Sequence, residues 1–465
     1  MKILKKLVFA GLVICVFLFA FYAKPIKANP ADIWVPYDYP TIQAAINVAK
    51  SGDIIHVAGG PYASIVVNNS VSLIGEGEAI IDGNGLSDYM AVVNVTANQV
   101  SIKNFKIRNA ENGYGIYLND TSFCYLENNQ IVNTAVGILL KNSSQIHVVG
   151  NNITDVYSGI RILDSSNNYI LANNMLRFDS EGITVSWDFD ALPEGSGFNL
   201  LSYNNVTGVD QATSGIIINT PNNTICNNWV SNCKYGISFR STASENNIFY
   251  HNNFMNNTNQ ALFSYSGCNN KWNFDCSIGG NFWSDHITAD KFSGQYQNQP
   301  GSDGICDTPY IIDGSNIDEY PLMGPCNRFE VQFGPVPSKQ EISVISNSSI
   351  SDFQMNTTQK TISFNVTGET GIGFCRADIP NVIVSGLWQN NYRVLVNNQE
   401  PLYVRNWTSG ATTYIYFQYQ HSTKEVVIIP EFPQNLIPLI FMIITTLIAV
   451  KTKRRQQYKL TPSIF

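Results

Sequence analysis

Only 14% of the 465 residues are charged, and the formal net charge is −7. That balance lacks the basic footprint of a nucleic-acid binder and excludes that class. The length allows two or three domains with separate cores, and a polar composition led by Asn, Ser, Thr, Gly and Tyr fits an extracellular β-rich protein.

Residues 1–29 read as a signal peptide or N-terminal anchor. Lys2, Lys5 and Lys6 precede an apolar run over 7–23, and a cleavage point falls after Ala28. A short helix is expected over 41–49: Pro40 and Thr41 supply start signals, and Ile42, Ala45, Ile46 and Ala49 form one apolar stripe. It would cap a solenoid, whose bare first rung is otherwise an open sheet edge.

Downstream, a Gly-Ile-x-apolar unit recurs at Gly115, Gly137, Gly159, Gly182, Gly215 and Gly236, with spacings of 22, 22, 23, 33 and 21 residues. Asn-Asn pairs beginning at Asn128, Asn151, Asn173, Asn204, Asn227 and Asn252 keep the same step. A period near 22 residues accommodates three short strands and three turns, each strand alternating buried and exposed positions. One such turn cannot bury its apolar face alone, so the turns stack as a right-handed parallel β-helix. Stacked amides then bond from rung to rung, and Gly at fixed phase serves a bend or a close backbone approach. Leucine-rich spacing and the longer period of propeller blades are both missing.

The 33-residue gap between Gly182 and Gly215 marks an insertion over 187–197, which sets Trp187 beside Asp188, Asp190 and Glu194. A ring that stacks on a sugar face, with carboxylates for its hydroxyls, makes this the candidate glycan site. Tyr117, Arg161 and Thr184 follow their Gly at the same phase and are expected in one outward column. The competing expectation is a surface loop that folds its Trp back onto the coil. As a hydrolase, the loop would need two carboxylates flanking a glycosidic bond, one with a raised pKa. The polygalacturonase set of N-T-D, D-D and G-H-G is absent, as are the R-x-P-x-x-R element of pectate lyases and the D-P-H-E element of mannuronan epimerases.

The opening over 33–83, with Tyr39-Pro40-Thr41-Ile42-Gln43-Ala44-Ala45-Ile46 and Val71-Ser72-Leu73-Ile74-Gly75, resembles the start of pectin-esterase-like β-helices. Gly280-Asn281-Phe282-Trp283-Ser284-Asp285, Asp303-Gly304-Ile305-Cys306-Asp307-Thr308-Pro309-Tyr310 and Asp318-Glu319-Tyr320-Pro321-Leu322 resemble the closing block of NosD-type β-helix proteins. These belong to the wider carbohydrate-binding and sugar-hydrolase repeat group, and the resemblance spans roughly 33–325. It implies a β-helix and raises copper as a cofactor. Copper favours imidazole and soft ligands, yet His56, His147, His251, His286 and His421 are scattered without ligand spacing. Calcium is the better expectation. Asp285, Asp290, Asp303, Asp307, Asp313 and Asp318 gather hard oxygens in a loop-rich stretch, with Asp303 and Asp307 as first candidates; turn capping is the alternative.

Eight cysteines follow Cys15, and none forms a C-x-x-C pair. In an exported chain they imply disulfides, with Cys226/Cys233, Cys268/Cys276 and Cys306/Cys326 as the close pairs. Family members usually carry Gly at position 306, which supports the last pair. Twelve N-x-S/T sequons, among them Asn94, Asn142, Asn205 and Asn406, fit glycosylation on an exported surface.

Beyond the coil (30–325) the period vanishes. Alternating runs over 326–429 predict a small antiparallel β-sandwich acting as a spacer. The segment 430–455 reads as a membrane anchor or sorting tail: an apolar run over 436–450 precedes Lys451, Lys453, Arg454 and Arg455. Pro430-Glu431-Phe432-Pro433 resembles signals read by archaeosortases and exosortases, which implies an archaeal envelope. Residues 456–465 would be cytoplasmic. The sequence therefore reads as an all-β, surface-anchored protein that binds polysaccharide or surface-layer glycans without turnover. The alternatives are a polysaccharide lyase or glycoside hydrolase with an atypical site, and a copper-related maturation factor.

Overall fold

The computed structural model describes residues 30–188, 197–265, 267–286, 288–334 and 336–431. The signal segment, the run over 436–450 and the basic tail lie outside the described residues, as do Asp190 and Glu194. Among the described residues no helix is long and apolar enough to cross a membrane. The chain divides into two compact units, Met1–Asn199 and Leu200–Phe465.

The first unit opens with the expected helix, Ile42–Val48. Thr41 caps it by accepting from the Ala44 N–H at 3.1 Å, and Ile42, Ala45 and Ile46 are buried. Parallel coil turns follow. One sheet stacks short strands, including Ser101–Lys103, Tyr125–Glu127, His147–Val149 and Tyr169–Leu171. The other stacks long ones, Lys106–Asn119, Gln130–Lys141, Asn152–Leu163 and Asn174–Ser186. Each of these turns thus carries two strands where the sequence predicts three. A residue at positive φ (Asn109, Asn133, Asp155, Arg177) bends each long strand without ending its ladder. The interior is built of in-register aliphatic columns such as Ile116, Ile138, Ile160 and Ile183, all fully buried. The recurring glycine answers a close approach. A Cβ on Gly137 would lie 2.7 Å from the Gly159 carbonyl oxygen and 2.5 Å from Ile153 Cγ2.

The amide ladder forms as expected, one position out of phase at one of its rungs in this unit. Asn129, not Asn128, aligns with Asn151 and Asn173, because Asn128, Gly150 and Ala172 occupy the left-handed bend just before it. The Asn129 N–H and Nδ2 both donate to Asn151 Oδ1 at 3.0 Å, while Nδ2 also donates to the Ile102 carbonyl at 3.0 Å. Asn151 repeats the pattern onto Asn173 at 3.0 Å, so these ladder amides are partnered on both their donor and acceptor sides.

In the second unit Leu200–Ser202, Thr224–Cys226 and Ile248–Tyr250 stack in parallel, as do Asn205–Ile218, Trp229–Phe239, Asn253–Met255 and Phe282–Trp283. The last turns are filled by Phe239, Phe249, Phe254, Trp272 and Trp283. Here the ladder runs Asn204, Asn228, Asn252, Asn281 and stops on Asp318. This fully buried carboxylate accepts from the Asn281 N–H at 2.7 Å, Trp283 Nε1 at 3.0 Å and the Tyr320 N–H at 3.2 Å. A carboxylate suits the last place because it only accepts. A second ladder, Asn223, Asn247, Asn270 and Asn316, ends likewise on Asp313, to which Asn316 Nδ2 donates at 3.0 Å.

Two antiparallel sheets follow. Cys326–Phe333, Ser338–Ser346, Ile372–Pro380, Thr412–Gln420 and Tyr403–Ser409 form one; Ser349–Asn356, Thr361–Thr367, Lys424–Pro430 and Tyr392–Val396 form the other. Their buried residues make a common core, joined by an unpredicted helix, Asn381–Trp388. The sheets are fastened to the coil of this unit. Fully buried Arg376 donates to the carbonyls of Ser277, Ile278 and Asp303 and pairs with Asp378, and Asn253 exchanges two hydrogen bonds with the Cys326 backbone.

The expected disulfides are not formed, since all eight described cysteines are free thiols. Cys226 and Cys233 lie on strands of different sheets, with the Cys226 sulfur against Ser202 Oγ and the Cys233 thiol donating to the Ser231 carbonyl. Cys268 donates to the Ser241 carbonyl at 3.3 Å while Cys276 is half-buried, and Cys306 packs on Met323 sulfur rather than on Cys326.

Candidate functional site

The outward face of the long-strand sheet in the first unit carries Tyr117 and Arg161, two of the residues expected to bind glycan. Register places Asn94, Tyr117, Leu139, Arg161 and Thr184 in one column. At the spacing of parallel strands, Tyr117 to Thr184 spans about 14 Å. Along each strand these positions alternate with fully buried Ile and Leu, which turns them outward. The neighbouring column adds Tyr114, Val136, Ser158 and Glu181, and the next one adds Asn119, Lys141, Leu163 and Ser186.

Tyr117 packs beside Tyr114 with ring centroids 5.4 Å apart, and its hydroxyl donates to Asn119 Oδ1 at 3.2 Å. Burial raises the Tyr117 phenol above its ordinary pKa. Lys141 Nζ meets Asp188 Oδ2 at 2.6 Å, and that bond raises the lysine pKa. Because Lys141 aligns with Leu163 and Ser186, this pair carries the chain back across two rungs at the edge of the column. The Asp188 N–H donates to Asp164 at 3.2 Å, and Trp187, half-buried, sits where the strand ends. Ser158 Oγ donates to Glu181 Oε2 at 2.8 Å. Arg161 Nε, Thr184 Oγ1 and Asn94 Oδ1 are each buried with no hydrogen-bond partner.

Register thus aligns Tyr117, Arg161 and Thr184, with Asp188 paired to Lys141 at the edge of the column and Trp187 preceding Asp188 in the chain. Lys141, Tyr114 and Glu181 were missed from sequence. Lys141 was reachable, being two residues beyond the Tyr117 and Arg161 phase and therefore on the same face.

Asp303 and Asp307 do not converge on a calcium site. Asp303 accepts from the Ile305 N–H at 3.1 Å and from Gln297 Nε2 at 3.3 Å, and Asp307 accepts from the N–H groups of Lys291 and Phe292. Asp290 takes the N–H groups of Asp303 and Gly304, while burial first and the Asp303 charge second push its pKa up to about 7. With Asp313 and Asp318 ending ladders, these acids cap the protein's own donors. Among the described residues no group of three or more His, Cys, Asp or Glu is placed to hold a metal ion.

Copper fits no better. His147 is stacked between Tyr125 and Tyr169 at 4.7 and 4.5 Å, and His56 lies 4.4 Å from the Trp34 ring with Nδ1 on Glu76. His251 is held between Arg328 and the Ile278 carbonyl, and burial lowers its pKa to about 3. His286 and His421 are bonded to the Thr308 carbonyl and Ser348 Oγ. Burial pushes Cys233 and Cys306 up to about 12, away from the thiolate that a soft metal needs.

The family described as periplasmic copper-binding protein (NosD) matches residues 45–287. No curated protein matches the chain. Solved structures it resembles include an alginate lyase from Paenibacillus sp. str. FPU-7 (16% identity, 49% of this chain and 94% of that one, TM-score 0.36). Others are an exopolygalacturonase from Thermotoga maritima (13%, 50% and 72%, TM-score 0.39) and the periplasmic alginate epimerase AlgG (16%, 46% and 64%, TM-score 0.31). These are likenesses of strand arrangement, and nothing about what those enzymes act on carries over.

Proposed function

The chain belongs to the NosD family, and from that premise we propose that it is an extracytoplasmic glycan-binding solenoid, held at the cell surface by its C-terminal segment. The carrying observation is the outward column of the first unit, where Tyr117, Arg161 and Thr184 align in register with the Lys141–Asp188 pair at its edge. A sugar chain laid across the rungs would meet aromatic rings for its apolar faces and polar atoms for its hydroxyls.

Binding without turnover is the preferred reading because, among the described residues, the carboxylates Asp188 and Glu181 at this face are committed. Asp188 pairs with the Lys141 ammonium, and Glu181 accepts from Ser158. A general acid or base must be free to meet the scissile bond, and these two carboxylates are already engaged within the chain. The sheets over 326–429 would set the coil away from the membrane, with 430–455 as anchor or sorting tail.

The test is retention of the full chain on immobilised polysaccharides, followed by analysis of the products. Retention without new reducing ends or unsaturated sugars, weakened in Trp187→Ala, is expected. Cleavage products would replace this reading with an enzymatic one, and failure to bind any polymer would end it.

A further inference from the structure

Resting on that reading, we propose that the bound glycan is anionic and that Arg161 receives its carboxylate or sulfate group. Three arginines lie among the described residues of the first unit. Arg108 meets Asp82 at 2.8 Å and Arg177 meets Asp155 at 2.6 Å, so both are neutralised within the coil. Arg161 has no ion pair among the described residues, and its Nε is buried without a hydrogen bond. A buried donor left unpaired is costly, and folded proteins rarely keep one unless something outside the chain completes it.

The surroundings favour an oxyanion in that place. Thr184 Oγ1, one rung away in register, is likewise buried and unpartnered, so a hydroxyl donor stands beside the guanidinium fork. The other charges at this face are occupied: Lys141 with Asp188, and Glu181 with Ser158. Among the described residues the Arg161 guanidinium is therefore the cation at this face without an ion pair. Its planar fork matches a carboxylate or sulfate through paired N–H···O bonds, which a neutral sugar cannot supply.

The full chain would be titrated with two matched pairs, polygalacturonate against its fully methyl-esterified form and dextran sulfate against dextran. Tighter binding to at least one charged member is expected, weakening as salt rises. Arg161→Gln should lower that affinity about tenfold or more, the scale of one charge-assisted contact, with Arg161→Lys between the two. Arg177→Gln, whose partner is Asp155, should bind as the wild type does. Matching thermal midpoints would show that each variant is folded. Which pair discriminates tells carboxylate from sulfate. Equal binding within both pairs, or undiminished binding by Arg161→Gln, would overturn the anionic assignment while leaving glycan binding intact. No retention on any of the four polymers would overturn both.

Discussion

Removing the carboxylate of Asp318 should loosen the end of the coil by an amount that can be worked from its partners. Asp318→Ala strands three buried donors: the Asn281 N–H, Trp283 Nε1 and the Tyr320 N–H. The Asn281 side chain keeps its bonds to Trp272 O at 2.8 Å and Phe249 O at 3.2 Å. At ~1–3 kcal/mol per orphaned donor the gross loss is about 3–9 kcal/mol. Relief from burying a carboxyl whose pKa is pushed from 3.8 up to about 7 offsets about 4 kcal/mol of this, leaving a loss of up to about 5 kcal/mol. Asp318→Asn can turn its oxygen to the Asn281 and Trp283 donors and loses only the Tyr320 bond, so its cost should be about 1 kcal/mol. Urea unfolding would rank the variants, and hydrogen exchange at Trp272, Asn281 and Trp283 would localise the effect. An alanine variant as protected as the wild type, or an asparagine variant no better than alanine, would refute the ladder-end role.

Burial raises the pKa of Asp290 and Asp318 to about 7, so the folded chain holds protons that the unfolded chain releases down to about pH 4. Stability contributed by these groups should therefore rise as pH falls from 8 to 5, and thermal scans of Asp290→Asn should show a shallower rise. Gly137→Ala forces a methyl group against the Gly159 carbonyl and Ile153, at a cost of about 1–3 kcal/mol in urea unfolding. Thiol labelling of the native chain should mark half-buried Cys276 first among the eight described cysteines. All eight should react in denaturant without reductant, and a shortfall would mean that disulfides are present after all.

The repeat was legible because burial writes itself into sequence at a fixed step. Gly115, Gly137 and Gly159 and the aligned asparagines each reflect a contact made to the next rung, so period and structure coincide. The column of Tyr117, Arg161 and Thr184 was legible for the same reason. Roles set by direction rather than by spacing were not. Six aspartates in one loop look alike as candidate ligands, and only geometry shows that Asp313 and Asp318 each face donors of the chain itself. The helix Asn381–Trp388 was hidden by its β-branched residues and by a Pro380 N-cap without a side-chain bond; it forms because Ile383, Val384, Leu387 and Trp388 bury together.

The amide ladder also bears on how such a chain can change its size. Each asparagine takes from the rung before and gives to the rung after, so an interior turn meets the same demands at both of its faces. Duplicating or deleting a whole turn leaves every remaining amide matched, because the special chemistry sits in a terminal acid that is blind to how many rungs precede it. Length is then a freely editable trait, and the coil can lengthen or shorten while one unaltered stop serves every version.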